Sequence, residues 1–327
     1  MLKKVNNDIL IKDENDRLLR FSCNDDLGLY YEVINNNKII GEKFVIQRNF
    51  KYFFIIKDFD RNINLICQDE VGNIILYILI DNKWKYKTLL YIKNNYITPI
   101  NTKGFFYSNE LMLLLNLDSD SENIYSRNRY NDFNIIYSES EEVHIEYNVL
   151  EGNNYASLII NSNFFDIYKL AIKSFNKNKG LWGNNQVVYI SKEDYLDKSY
   201  CLINNKIHFL ILLNNKNKKQ IIYKNINIDK NEELQKETII FEHKDISSCL
   251  ISEINNVLFA VWIVNDKIVA SYSTNYGEDF SNPKVYKVFD DEVIQKINFL
   301  ENDKAIETYF YETDGNMNLF LNKILSL

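Results

Sequence analysis

Residues able to do chemistry are sparse in this chain and do not converge along the sequence. His144, His208 and His243 stand far apart, with no cysteine or carboxylate at the spacings a metal centre uses. His208 lies in an apolar run, the setting of a satisfied core histidine. Cys23, Cys67, Cys201 and Cys249 fall in or beside strand-like runs and read as buried free thiols. Neither a Gly-x-Ser-x-Gly turn nor a glycine-rich phosphate loop occurs, so no cofactor is expected. One stretch, Asp118-Ser119-Asp120-Ser121-Glu122, alternates carboxylates with hydroxyls as calcium loops do. It lacks the central glycine and distal bidentate glutamate of an EF-hand. A solvated hairpin turn is the expectation for Asp118, Asp120 and Glu122, with calcium as the alternative.

The elements that must position these residues are strands. Apolar runs at 18–22, 63–67, 111–115, 156–160, 207–213, 257–264 and 305–311 are short and rich in Val, Ile, Phe and Tyr. Val257–Val264 is apolar throughout, which predicts a strand covered on both faces. After the run at 267–272 comes Ser273-Thr274-Asn275-Tyr276-Gly277-Glu278-Asp279-Phe280. Gly277 tolerates the positive φ of a tight turn, and the Asn275 side chain can hydrogen-bond its own turn backbone. Stepping back from Phe280 in units of 49 residues reaches Trp182, Phe133 and Trp84, with one step lost in a polar loop. Ser126-x-Asn128 precedes Phe133 at the same spacing, and Ser174-x-Asn176 precedes Gly180 and Trp182 in a stretched copy. Such a period is the mark of a repeat architecture.

The pattern Ser-x-Asn-x-Gly-x-x-Phe is similar to the Asp-box, the hairpin turn of sialidase-like (BNR-repeat) β-propellers, usually Ser-x-Asp-x-Gly-x-x-Trp. The resemblance implies the fold, with Ser126, Asn128, Phe133, Ser273, Asn275, Gly277 and Phe280 as structural turn residues. It carries no activity over. Sialidases grip a carboxylate with three arginines, whereas the six arginines here (Arg17, Arg20, Arg48, Arg61, Arg127, Arg129) include none from the later part of the chain.

The expected architecture is therefore all-β, a single domain over 1–327. It is a seven-bladed β-propeller of four-stranded antiparallel blades, or of six or eight blades if one has been split or merged near 170–200. The blades begin at strands 9–11, 52–56, 96–99 or a little later, 143–147, 200–203, 248–251 and 293–299. The last blade ends one strand short, and residues 2–5 are expected to close the ring by supplying it.

This scheme puts Asp69, Glu70, Asp118, Asp120, Glu122, Glu139, Glu141, Glu142, Asp290 and Asp291 on one acidic rim, a surface for a basic partner or a cation. A net charge of −7 argues against nucleic-acid binding. No apolar run approaches the roughly 20 residues of a membrane span, and the first eight residues lack an apolar signal region, so a cytoplasmic protein is expected. The functional expectation is a non-enzymatic scaffold with a protein partner. The alternatives are a carbohydrate-binding propeller using exposed aromatics or a glycoside-cleaving enzyme with two facing carboxylates.

Overall fold

Antiparallel hairpins joined by asparagine-rich two-residue turns build this chain. Asn36-Asn37, Asp81-Asn82, Ser108-Asn109, Asn204-Asn205, Asn255-Asn256 and Asn265-Asp266 all have positive φ at both positions. That is the signature of type I′ turns, whose twist matches the flanking strands. Asparagine enters the left-handed region at a lower cost than other side-chain-bearing residues. The computed structural model describes residues 8–13, 17–91, 99–117, 123–127, 134–138, 144–164, 167–192, 195–229, 237–289, 294–301, 304–313 and 316–320.

The strands follow in chain order. The first four are β1 (Ile9–Lys12), β2 (Leu18–Asn24), β3 (Gly28–Asn35) and β4 (Lys38–Gln47). Next come β5 (Phe50–Lys57), β6 (Ile63–Asp69), β7 (Ile74–Ile80) and β8 (Lys83–Leu90), then β9 (Pro99–Tyr107), β10 (Glu110–Leu117), β11 (Asn123–Arg127) and β12 (Asn134–Ser138). They are followed by β13 (His144–Glu151), β14 (Tyr155–Phe164), β15 (Ile167–Asn176), β16 (Leu181–Trp182) and β17 (Gln186–Ser191). Then come β18 (Tyr195–Ile203), β19 (Lys206–Asn215), β20 (Lys218–Asn227) and β21 (Thr238–His243), and β22 (Ile246–Ile254), β23 (Val257–Val264), β24 (Lys267–Ser273) and β25 (Lys284–Val288). The last three are β26 (Ile294–Glu301), β27 (Lys304–Thr313) and β28 (Asn316–Leu319).

The fold is a β-propeller, but the expected seven like blades are corrected. Five small sheets form: β5–β8, β9–β12, β13–β17, β18–β21 and β22–β25. Four have four strands, and the fifth carries both β16 and β17 against β15. The first four and last three strands do not make two further blades. They run together as one seven-stranded sheet in the order β28-β27-β26-β1-β2-β3-β4. The join is parallel, with Ile9, Leu10 and Ile11 opposite Asn298, Phe299 and Leu300. A four-residue first strand leaves a row of N–H and C=O groups on its outer edge, and pairing with β26 satisfies them. The closing strand expected at 2–5 lies outside the described residues. The third blade's first strand, Pro99–Tyr107, falls where the expectation of 96–99 or a little later puts it.

The chain divides into two compact units, residues 1–149 with 298–305, and 150–297 with 306–327. In the first, Phe21, Leu29, Phe53 and Leu65 lie in one core, against which Trp84 packs, edge-on to Phe21 at 6.2 Å. In the second, β23 is buried on both faces. Leu258, Ala260 and Trp262 enter one cluster while Phe259, Val261 and Ile263 enter another. This is why the run needs no polar alternation. Among the described residues no helix is long and apolar enough to cross a membrane.

Candidate functional site

A bulge recurs near the start of first strands. The register slips between Phe50 and Tyr52, between Tyr195 and Asp197, and between Ile246 and Ser248. The extra residues Lys51, Leu196 and Ser247 are exposed, and the slip re-aims the side chain that follows. In the second unit the bulged strands carry Asp197 and Ser199 of β18 and Ser248 and Cys249 of β22, which meet Lys296 of β26 and Glu307 and Tyr309 of β27 in one ionic cluster.

Lys296 is its centre. Its Nζ lies 3.0 Å from Asp197 Oδ1, donates to the Lys198 carbonyl at 2.6 Å, and lies 3.6 Å from Glu307 Oε2. Asp197 Oδ2 accepts from Ser248 Oγ at 2.7 Å and from the Cys249 amide at 2.9 Å. Ser199 Oγ donates a short hydrogen bond to Glu307 and accepts from the Ile251 amide at 2.9 Å. The Tyr309 hydroxyl donates to Ser248 Oγ at 3.1 Å. The Lys296, Asp197 and Glu307 side chains keep 19%, 24% and 19% of their surface open, so the cluster is partly wet.

The protonation states follow from these contacts. Burial opposes the charge on Lys296, but Glu307 and Asp197 more than offset it and hold its pKa above the usual lysine range. Burial raises the Glu307 pKa, and the nearby ammonium and the Ser199 hydroxyl only partly counter it. Burial also pushes the Tyr309 phenol and the Cys249 thiol well up. The arrangement therefore offers a fixed cation, a carboxyl whose pKa is raised above the ordinary glutamate value and a phenol that keeps its proton.

A second buried polar group has a structural part. His208, fully buried, makes a 2.7 Å hydrogen bond through Nδ1 with the Tyr223 hydroxyl, to which Asn225 Nδ2 donates at 2.9 Å. Burial, with Lys206 nearby, lowers the His208 pKa to about 4, so the ring is neutral at pH 7. The 273–280 turn lies on Tyr223. Phe280 meets that ring edge-on at 4.9 Å, and the Tyr276 carbonyl accepts from its hydroxyl at 3.4 Å. Inside the turn, Ser273 Oγ accepts from the Gly277 amide at 2.8 Å, and Asn275 Oδ1 accepts from Ser273 Oγ at 2.8 Å and from the Asp279 amide at 3.1 Å.

Asp118, Asp120, Glu122, Glu139, Glu141, Glu142, Asp290 and Asp291 lie outside the described residues, as do Asn128 and Phe133. Ser126 falls in β11. Asp69 serves its own turn, accepting from the Val71 and Asn73 amides at 3.0 and 2.8 Å and from Asn73 Nδ2 at 2.8 Å. Glu70 beside it is exposed. Among the described residues no group of three or more His, Cys, Asp or Glu is placed to hold a metal ion. All four cysteines are buried and free. The ionic cluster is absent from the sequence expectations. With that blade's first strand read as starting at residue 200, Asp197 fell outside it. Glu307 was its visible signal, a carboxylate inside an otherwise strand-like run.

No protein family's sequence profile matches the chain, and no curated protein does. Solved structures do resemble it. An ulvan lyase from a new family of polysaccharide lyase, bound to GlcA(1-4)Rha3S, is 12% identical with a TM-score of 0.58, over 99% of this chain and 97% of that one. The polysaccharide lyase Uly1 is 10% identical with a TM-score of 0.60, over 96% and 88%. The Dos1 propeller is 9% identical with a TM-score of 0.55, over 95% and 77%. What they share with this chain is the fold. Two of these three neighbours are named as polysaccharide lyases, so the likeness runs against the expected non-enzymatic scaffold.

Proposed function

We propose that this chain is a carbohydrate-active β-propeller that takes a polysaccharide and cleaves it, with the Lys296 cluster as its site. The observation that carries the reading is the two-way coverage with polysaccharide lyases, since no added catalytic domain accounts for the likeness. Fold alone does not fix chemistry, so the cluster must supply it. Lys296 keeps its positive charge and suits the carboxylate of an acidic sugar. Glu307, with its raised pKa, suits proton donation to a departing sugar oxygen. The 273–280 turn is read as an Asp-box that fixes one blade against its neighbour through Tyr223.

A second reading, binding without cleavage, is favoured by one feature. Lys296 already faces two carboxylates, which is the arrangement of a structural ion pair. The test is incubation with a panel of neutral and acidic polysaccharides. Elimination gives an ultraviolet-absorbing unsaturated sugar, hydrolysis gives reducing ends without that absorbance, and calorimetry reads binding. Cleavage that disappears in Glu307→Gln supports the proposal. Binding without cleavage moves the protein to the second reading, and neither signal with any polysaccharide overturns both.

A further inference from the structure

β8 differs from the other outer strands in carrying three lysines at alternate positions. It reads Lys-Trp-Lys-Tyr-Lys-Thr-Leu-Leu and ends the sheet order β5-β6-β7-β8, so among the described residues no strand pairs with its outer edge. Alternation sends Lys83, Lys85 and Lys87 to one face and Trp84 and Tyr86 to the other. All three lysines are exposed, and none has an ion-pair or hydrogen-bond partner among the described residues. Their Cα atoms recur about every 6.7 Å along the strand. On β7 they stand opposite Ile80, Ile78 and Leu76, all half-buried. The result is a row of unspent positive charges beside an aliphatic row. On the other face Tyr86 is 76% exposed, its ring 6.0 Å from that of Tyr77.

Lysines can simply guard a free edge against pairing with another sheet. The other outer strands argue against that as the whole account. β21 (Thr-Ile-Ile-Phe-Glu-His) and β17 (Gln-Val-Val-Tyr-Ile-Ser) have no lysine, and although β4 carries Lys38 and Lys43 and β25 carries Lys284 and Lys287, neither sets its lysines at alternate positions on one face. Protecting an edge in this fold thus does not call for a row of lysines on one face, and in a chain of net charge −7 such a row, without partners among the described residues, stands out.

We infer that the β8 edge is a binding stripe for a linear anionic polysaccharide, its charged groups meeting the three ammonium groups and its apolar sugar faces meeting the aliphatic row. The inference rests on the carbohydrate reading above and adds a substrate class and a surface remote in sequence from the Lys296 cluster. Nucleic acid is the other linear polyanion, and the net negative charge disfavours it.

The experiment measures binding of polygalacturonate, dextran sulfate and neutral dextran at two salt concentrations. It compares the wild type, a Lys83→Gln/Lys85→Gln/Lys87→Gln variant and the corresponding triple Lys→Arg variant, with melting curves as a folding check. Expected are binding of the two anionic polymers but not dextran, about tenfold or greater loss in the Gln variant, retention in the Arg variant, and a salt slope lower by about two to three released counterions in the Gln variant. Equal affinity and slope in the Gln variant, or no wild-type binding of either polyanion, overturns the stripe. So does stronger binding of single-stranded DNA than of both polysaccharides. Lysine-dependent binding with nothing cleaved leaves the stripe standing and removes the enzymic reading. Cleavage of short oligosaccharides with no lysine dependence does the reverse.

Discussion

Gly277 is seated against Tyr223 so closely that a Cβ on the glycine would lie 1.8 Å from the tyrosine hydroxyl. The ring is held by His208 and Asn225 and cannot swing away. Gly277 also has φ of +88°, a conformation that side-chain-bearing residues rarely adopt. Gly277→Ala therefore meets two costs, backbone strain and overpacking, together about 3 kcal/mol or more. A fall in Tm of several degrees or more is expected by calorimetry. An unchanged melting curve would mean that the turn does not rest on Tyr223.

The same contact gives a pH dependence. The His208 pKa is lowered to about 4 from an ordinary 6.5. Between these values the unfolded chain binds the proton and the folded chain does not. The stabilisation is therefore complete above about pH 6.5 and is lost as pH falls toward 4, amounting to roughly 3 kcal/mol. Lys206 is the charged neighbour that adds to the burial effect. Denaturant melts of the wild type and His208→Gln from pH 4 to 7 check this: the wild type should lose stability across the window, and the variant's slope there should be flatter by that amount.

Much of the fold was legible because the local rules agree with the tertiary result. Val257–Val264 reads as doubly covered and is, with alternate side chains in two clusters. The Ser273–Phe280 turn forms the hydrogen bonds that its residue types allow. The blade count failed because repeat spacing counts strands and cannot register which edges meet. The parallel pairing of Ile9–Ile11 with Asn298–Leu300 joins residues almost 290 positions apart in sequence. The ionic cluster was hidden for a similar reason. Asp197, Lys296 and Glu307 are ordinary charged residues in sequence, and only the alignment of separate strands brings both carboxylates within 4 Å of the Lys296 ammonium.

That cluster responds differently to the loss of each partner. Lys296→Met leaves Asp197 and Glu307 without the cation that each faces. A partly buried pair broken from one side costs about 3 kcal/mol, the low end of the range because the groups are partly wet. Glu307→Gln keeps a hydrogen-bond acceptor for Ser199 and removes a carboxyl whose charged form burial disfavours. A raised Glu307 pKa contributes stability below the ordinary glutamate range and loses it as pH rises through the raised value. Glu307→Gln should therefore change stability at pH 7 by less than about 1 kcal/mol, in either direction. Urea melts of the two variants at pH 7 make the comparison, and equal losses would remove Lys296 as the centre of the cluster.

The asparagine turns yield the last prediction. Asn255 and Asn256 have φ of 51° and 63° between β22 and β23, two strands whose apolar residues are largely buried. Asn256→Gly relieves the left-handed backbone but frees the unfolded chain, so the terms nearly cancel, to within about 0.5 kcal/mol. Asn256→Val is different, since a β-branched residue is strongly disfavoured at positive φ and costs about 1–2 kcal/mol. The same pair of substitutions at Asn37 should reproduce the pattern, because it too is a second turn position, with φ of 62°. If valine is tolerated at both sites in thermal melts, the turns are not held in the type I′ form. The high asparagine content would then reflect something other than the geometry of these hairpins.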